Sequence, residues 1–197
     1  MDEKDKQIKL SKFLLQKYAD LINEREQRTI GEIKSLVDGT DLSIQTIIQD
    51  FKENTYSFED DYLNSIKKVY NYIREEIDFT EINLGINYWL NAKEVMELKI
   101  TDDEDLAVFT CSIMKALGDN KADVVIAELD DLTTHAFVTT EINENFLILD
   151  PAQKKDFETF FGKKTDILRK YTFNGQKIKK FLYRFNSEKY EQFLDEE

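Results

Sequence analysis

Three short stretches of this 197-residue chain hold the residue types from which an acid–base site is built. An acidic run opens TDDEDLAVFTCSIMKALG, the only histidine, His135, sits in THAFV, and Asp150 closes LILDP. A carboxylate beside an imidazole orients the ring and favours its charged form, so these three stretches hold the residue types for proton transfer, if the fold brings them together. What such a set lacks is a nucleophile. The single cysteine, Cys111, lies two helical turns beyond Asp103, roughly 12 Å along the axis at 1.5 Å per residue, and reads as a small buried hydrophobe. Asp103 also has a purely structural role open to it, because Asp is a favoured helix N-cap worth on the order of 1 kcal/mol. Asp102, Asp103, Glu104 and Asp105 raise the question of a metal site. Successive helical residues point about 100° apart and form no ready cage, so no metal and no cofactor is expected.

These residues need elements to hold them. From Asp103 to Leu117, the positions Leu106, Thr110, Ile113, Met114 and Leu117 recur at helical spacing, and Gly118 is a natural stop. After it the period changes. ADVVIAEL, THAFVTT and NFLILDP are short, β-branched or aromatic, and separated by turn-like DDL and EINEN, which predicts consecutive antiparallel strands. KYTFNG and KKFLYRFN supply one or two more. Upstream, Tyr62, Leu63, Ile66, Val69, Tyr70, Ile73 and Ile77 form one helical stripe, and Asn91 with Glu94 makes a capping-box start for NAKEVMEL. The first 54 residues read as helices: Ile8, Leu14, Leu15, Tyr18, Leu21 and Ile22 on one face, then GEIKSLVDG after Thr29 as cap, then SIQTIIQDF starting at Ser43. Helices followed by a run of strands predict an α+β fold, helices packed on an antiparallel sheet. The expected organisation is a helical extension over residues 1–54, packing on or beside a domain over residues 55–197.

In order and spacing, the three stretches resemble the transglutaminase-like superfamily, whose papain-related core reads G-D-C-x-D-x-A at a helix start, then H-A-[WF]-V, then a strand ending in D-P. Asp102, Asp105 and Ala107 match the residues around the family's nucleophile. His135 with Ala136, Phe137 and Val138 matches the base strand, and Asp150 with Pro151 matches the orienting aspartate. The stretch INYWLNAKEVMELK looks like the one preceding the nucleophile in relatives, where an aromatic pair flanks the cleft, so the resemblance gives Tyr88 and Trp89 a substrate-binding role. The likeness covers roughly residues 59–155. Two positions depart from it: Thr101 stands for the usual glycine, and Asp103 for the cysteine. Attack by a carboxylate on an amide gives a high-energy mixed anhydride where a thiolate gives a thioester, so the covalent step is lost. The resemblance with these departures implies a catalytically degenerate protein that binds a peptide or protein or serves as a structural module. Two alternatives are a divergent hydrolase in which Asp103 and His135 activate water, and a structural component of a viral or other large assembly.

Composition narrows the partners. The net charge of −13 resides in the middle of the chain, where residues 59–160 carry 9 basic against 23 acidic side chains. Such a surface repels phosphate backbones, so no nucleic acid is expected. No apolar run reaches the length of a signal peptide or membrane span, which predicts a soluble, cytoplasmic protein, or a virion component, without a membrane partner. The apolar face of the first helix makes it the candidate contact for a homo-oligomer.

Overall fold

The apolar stripe over residues 59–77 folds into helix α4 (Phe58–Glu76), with Tyr62, Ile66, Val69, Tyr70 and Ile73 buried. The computed structural model describes residues 2–18 (main chain only for 16–18), 29–52, 55–81 and 89–193. Ahead of α4 come α1 (Glu3–Tyr18), α2 (Ile30–Ser35) and α3 (Leu42–Gln49); after it come α5 (Ala92–Leu98) and α6 (Asp103–Ala116). The two-residue strands β1 (Asp78–Phe79) and β2 (Ile100–Thr101) pair in parallel, tying the end of α4 to the approach to α6.

Helix starts follow local chemistry. Thr29 and Asn91 cap their helices as expected, and both close capping boxes, Asn91 with Glu94 as the spacing predicts and Thr29 with Glu32 as well. Two caps differ from expectation. Asp41 rather than Ser43 caps α3, because its carboxylate reaches both the Ser43 and Ile44 amides. Asp102 rather than Asp103 caps α6: its backbone is extended, and its side chain accepts from the Asp105 amide. Asp103 thereby becomes the first helical residue, its carboxylate unspent on the helix end.

The strands β3 (Asp123–Leu129), β4 (Thr134–Ile142) and β5 (Asn145–Leu149) form the expected antiparallel run. Then follow β6 (Phe161–Gly162), α7 (Lys164–Lys170), β7 (Thr172–Phe173), β8 (Gln176–Phe185) and β9 (Tyr190–Gln192). Across the sheet the order is β6-β5-β4-β3-β8-β7, with β9 paired to β8. The result is an α+β fold. Seven-residue α7 and the two- and three-residue strands are too short to show a period in sequence.

Each sheet face carries its own apolar cluster. Val124, Ile126, Ala136, Val138, Leu147 and Leu149 pack with α6 and the helices beyond it. Val125, Ala127, Phe137 and Ile148 pack on the other face with Phe160, Ile167 and Tyr171. Helix α6 is enclosed, every residue from Asp105 to Met114 being buried. Cys111 is 0% exposed, and burial, followed by the charge of Asp123, pushes its thiol pKa up. Helix α1 contributes Leu10 and Leu14 to the larger cluster, and Lys6 Nζ lies 2.8 Å from Asp78; Leu21 and Ile22 of the expected stripe lie outside the described residues. Among the described residues no helix is long and apolar enough to cross a membrane.

Candidate functional site

The ladder between β4 and β5 starts at Val138 opposite Leu149, so the first residues of β4 lie ahead of it. Into that gap reaches the start of α6. Asp103 Oδ2 accepts from the Ala136 amide at 2.7 Å and lies 2.7 Å from His135 Nδ1. On the other side of the ring, His135 Nε2 lies 2.9 Å from Oδ2 of Asp150, the residue that follows β5. The imidazole therefore bridges two carboxylates contributed by a helix start and a strand end. Only the charged ring donates from both nitrogens, and only that form satisfies both partners. Burial alone pulls the histidine pKa down, but the charge of Asp150 and the hydrogen bonds to Asp103 and Asp150 outweigh it, raising it to about 9. His135 is 1% exposed and stacks on Phe173, ring centres 3.5 Å apart and planes 12° from parallel. Asp103 is the open member, its side chain 21% exposed.

A second set of side chains fixes Asp150. Its Oδ2 also accepts from Tyr171 Oη at 2.6 Å and Gln153 Nε2 at 2.7 Å, while Tyr70 Oη donates to its backbone carbonyl at 3.3 Å. Burial first, and Asp150 second, push the Tyr171 phenol well above its usual range, so it stays a donor. Gln153, Tyr171 and Phe173 escaped sequence reasoning because they follow the motifs, in segments joined to the site only by the fold. Beneath Asp103, the fully buried Asp105 accepts from the Leu90 amide at 2.7 Å and from Thr101 Oγ1 at 3.3 Å. Burial, then the nearby Asp102, raises its pKa well above the carboxylate range; burial and Asp103 raise Asp102 to about 7. Thr101, where the superfamily pattern has glycine, thus donates to the buried acid.

Sequence reasoning also singled out Tyr88 and Trp89. Tyr88 lies outside the described residues. Trp89 is 8% exposed, packs edge-on against Phe185 with ring centres 5.9 Å apart, and lines a cavity of about 200 Å³ with Asp38, Asp41, Glu94 and Ser112. Asp103, His135 and Asp150 do not line that cavity. Among the described residues no cluster of three or more His, Cys, Asp or Glu is arranged to hold a metal ion.

A family model described as a transglutaminase-like domain matches residues 29–174, and that span contains all three central residues. The chain belongs to this family. The match begins inside the first 54 residues, at the capping box of α2. No curated protein sequence matches the chain. Among solved structures, this transglutaminase-like chain is similar to Legionella pneumophila LapG, with a TM-score of 0.54 and 16% identity over 90% of this chain and 87% of that one. An EGTA-treated form of L. pneumophila LapG gives a TM-score of 0.53 at 16% identity, over 90% and 84%. At such identity the likeness speaks for the fold.

Proposed function

We infer that this transglutaminase-like protein is a catalytically degenerate member of its family that acts by binding a peptide or protein segment at the end of the sheet where α6 meets β4. The observation that carries this reading is the clamp on His135. In the superfamily pattern, the residue at position 103 is the thiol that gives its proton to the histidine. A carboxylate there does the opposite, holding a proton on Nδ1 from 2.7 Å. With Asp150 on the other nitrogen, the ring is an imidazolium at neutral pH and has no lone pair with which to act as a base. The same clamp weighs against the water-activating hydrolase, which needs a neutral imidazole. The exposed flank of Asp103 leaves a polar edge available to a bound chain.

Asp103→Cys tests the reading. At neutral pH the introduced thiol, at a helix N-terminus and beside His135, should be alkylated by iodoacetamide at least tenfold faster than buried Cys111. The unmodified protein should hydrolyse neither amide nor ester model substrates above background. Equal alkylation at the two positions would remove the proposed correspondence of position 103 with the nucleophile. Turnover by the unmodified protein that His135→Ala abolishes would establish the hydrolase instead.

A further inference from the structure

Three asparagines in this chain are followed by a glycine or a serine, small residues that leave the next main-chain nitrogen open to the asparagine side chain: Asn64-Ser65, Asn174-Gly175 and Asn186-Ser187. The fold treats them differently. Asn64 and Ser65 lie within α4, where the main chain is committed to helical hydrogen bonds. Asn186 is 1% exposed; its Nδ2 donates to the Ala122 carbonyl at 3.1 Å and to Asp123 Oδ1 at 2.7 Å, and its Oδ1 accepts from the Glu188 and Lys189 amides. Asn174 and Gly175 instead form the exposed two-residue turn between β7 and β8.

Both turn residues are left-handed, with φ of 49° and 83°, the combination that the twist of a two-residue hairpin asks for. The cross-strand pair Phe173–Gln176 closes the ladder ahead of them, so the Gly175 amide stands outside it. A Cβ built on Gly175 would meet nothing within 4 Å. The Asn174 side chain is held by a single contact among the described residues, from its Nδ2 to Glu81 Oε1 at 3.1 Å. One residue back, Phe173 lies over His135 and meets Phe79 edge-on with ring centres 6.1 Å apart. The turn therefore adjoins the residue that covers the clamp.

We propose that Asn174 is a site of spontaneous deamidation, and that its products loosen the hairpin that holds Phe173 over His135. The Gly175 nitrogen gives its proton to solvent and attacks Asn174 Cγ; an N–Cγ bond forms, the Cγ–Nδ2 bond breaks, and Nδ2 takes a proton back and leaves as ammonia. Water then opens the cyclic imide at either carbonyl, giving aspartate or isoaspartate. Both products place a negative charge beside Glu81, so a hydrogen bond becomes a repulsion between carboxylates. Isoaspartate also lengthens the main chain by one methylene. A two-residue turn between the pairs Thr172–Lys177 and Phe173–Gln176 has no slack for it, and the inner pair gives way. This modification stands apart from the peptide-binding reading, and neither depends on the other.

The test ages the full chain at pH 8 and follows the tryptic peptide Tyr171–Lys177, which holds Asn174 and no other asparagine. Aspartate and isoaspartate forms of this peptide should accumulate at least about tenfold faster than those of the peptide carrying Asn186, whose reaction requires a buried network to come apart. The ring resonances of His135 should shift in step with the conversion. Asn174→Gly, which keeps a residue at ease with a positive φ, should leave those resonances unchanged over the same period. Equal rates at Asn174 and Asn186, or conversion of Asn174 only in urea, would overturn the site. Conversion of Asn174 with a constant His135 spectrum would overturn its hold on the clamp.

Discussion

Asp102 turns its carboxylate back onto the Asp105 amide at 3.1 Å, and this frees Asp103, one residue on, to reach 2.7 Å across to His135. Two adjacent aspartates thus divide the work of a helix start: one closes the helix, and the other couples it to the sheet. The protonation of His135 reports that coupling.

NMR titration of His135 should give a pKa near 9, well above the unperturbed 6.5. Because the folded value lies above the unfolded one, the stability it adds is fully present below pH 6.5 and is lost as pH rises through about 9. The amount is on the order of 3 kcal/mol. Urea unfolding at pH 6 and pH 9 reads it directly, and Asp103→Asn should lower the histidine pKa and flatten the dependence. A titration near 6.5 that ignores Asp103→Asn would break the clamp as described.

The raised carboxyl of Asp102 acts with the same sign. Its folded pKa of about 7 exceeds the unfolded value, so the stability it adds is present below pH 4 and is lost as pH rises through 7. Asp105 is raised as well, and Asp105→Asn keeps an acceptor for the Leu90 amide without a buried charge. Its melting temperature should therefore match or exceed that of the parent at pH 8, with a weaker dependence on pH. Asp105→Ala should instead cost about 1–3 kcal/mol by stranding that amide. Equal losses from the two substitutions would contradict a carboxyl that is costly to ionise.

Tyr171→Phe deletes one donor to Asp150 and nothing else of comparable size. Stability should fall by about 1–2 kcal/mol in urea, with the His135 resonance still titrating above 6.5. Collapse of the histidine pKa to its ordinary value would mean that Tyr171, rather than the two carboxylates, holds the ring charged.

Helix α1 offers a contrast between two leucines five residues apart on different faces of the helix. Leu10→Ala, at a position 1% exposed, should cost about 2–4 kcal/mol, whereas Leu15→Ala, at 44% exposed, should stay within about 0.5 kcal/mol. If Leu15→Ala instead halves the mass seen in light scattering, that exposed face is an oligomer contact. A Leu10→Ala protein as stable as its parent would mean that α1 does not pack on the core in solution.

Much of this architecture can be read from local pattern. The stripes of α4 and α6 and the run β3 to β5 are visible because a half-buried helix or a strand imprints its period on apolar residues. Asp103, His135 and Asp150 pointed to one site through the order and spacing that the three stretches share with the superfamily pattern, and the fold brings them together at element ends. The support around them was not legible. Tyr171 and Gln153 look like ordinary surface-segment residues until the chain returns past Asp150, and the β-bulge at Leu182, between the pairs Ile126–Tyr183 and Ala127–Phe181, leaves no compositional mark. The α6 cap was displaced by one residue because two aspartates compete for it, and only backbone geometry separates an extended Asp102 from a helical Asp103.

The ring of Phe173 lies flat over His135, and both imidazole nitrogens are occupied. Phe173, which covers that face of the ring, belongs to a two-residue strand ahead of the turn at Asn174 and Gly175. Such a short element opens locally at far lower free energy than the whole sheet. The exchange rate of the imidazolium protons therefore sets a ceiling on how often the end of the sheet lets go while the rest of the molecule stays folded.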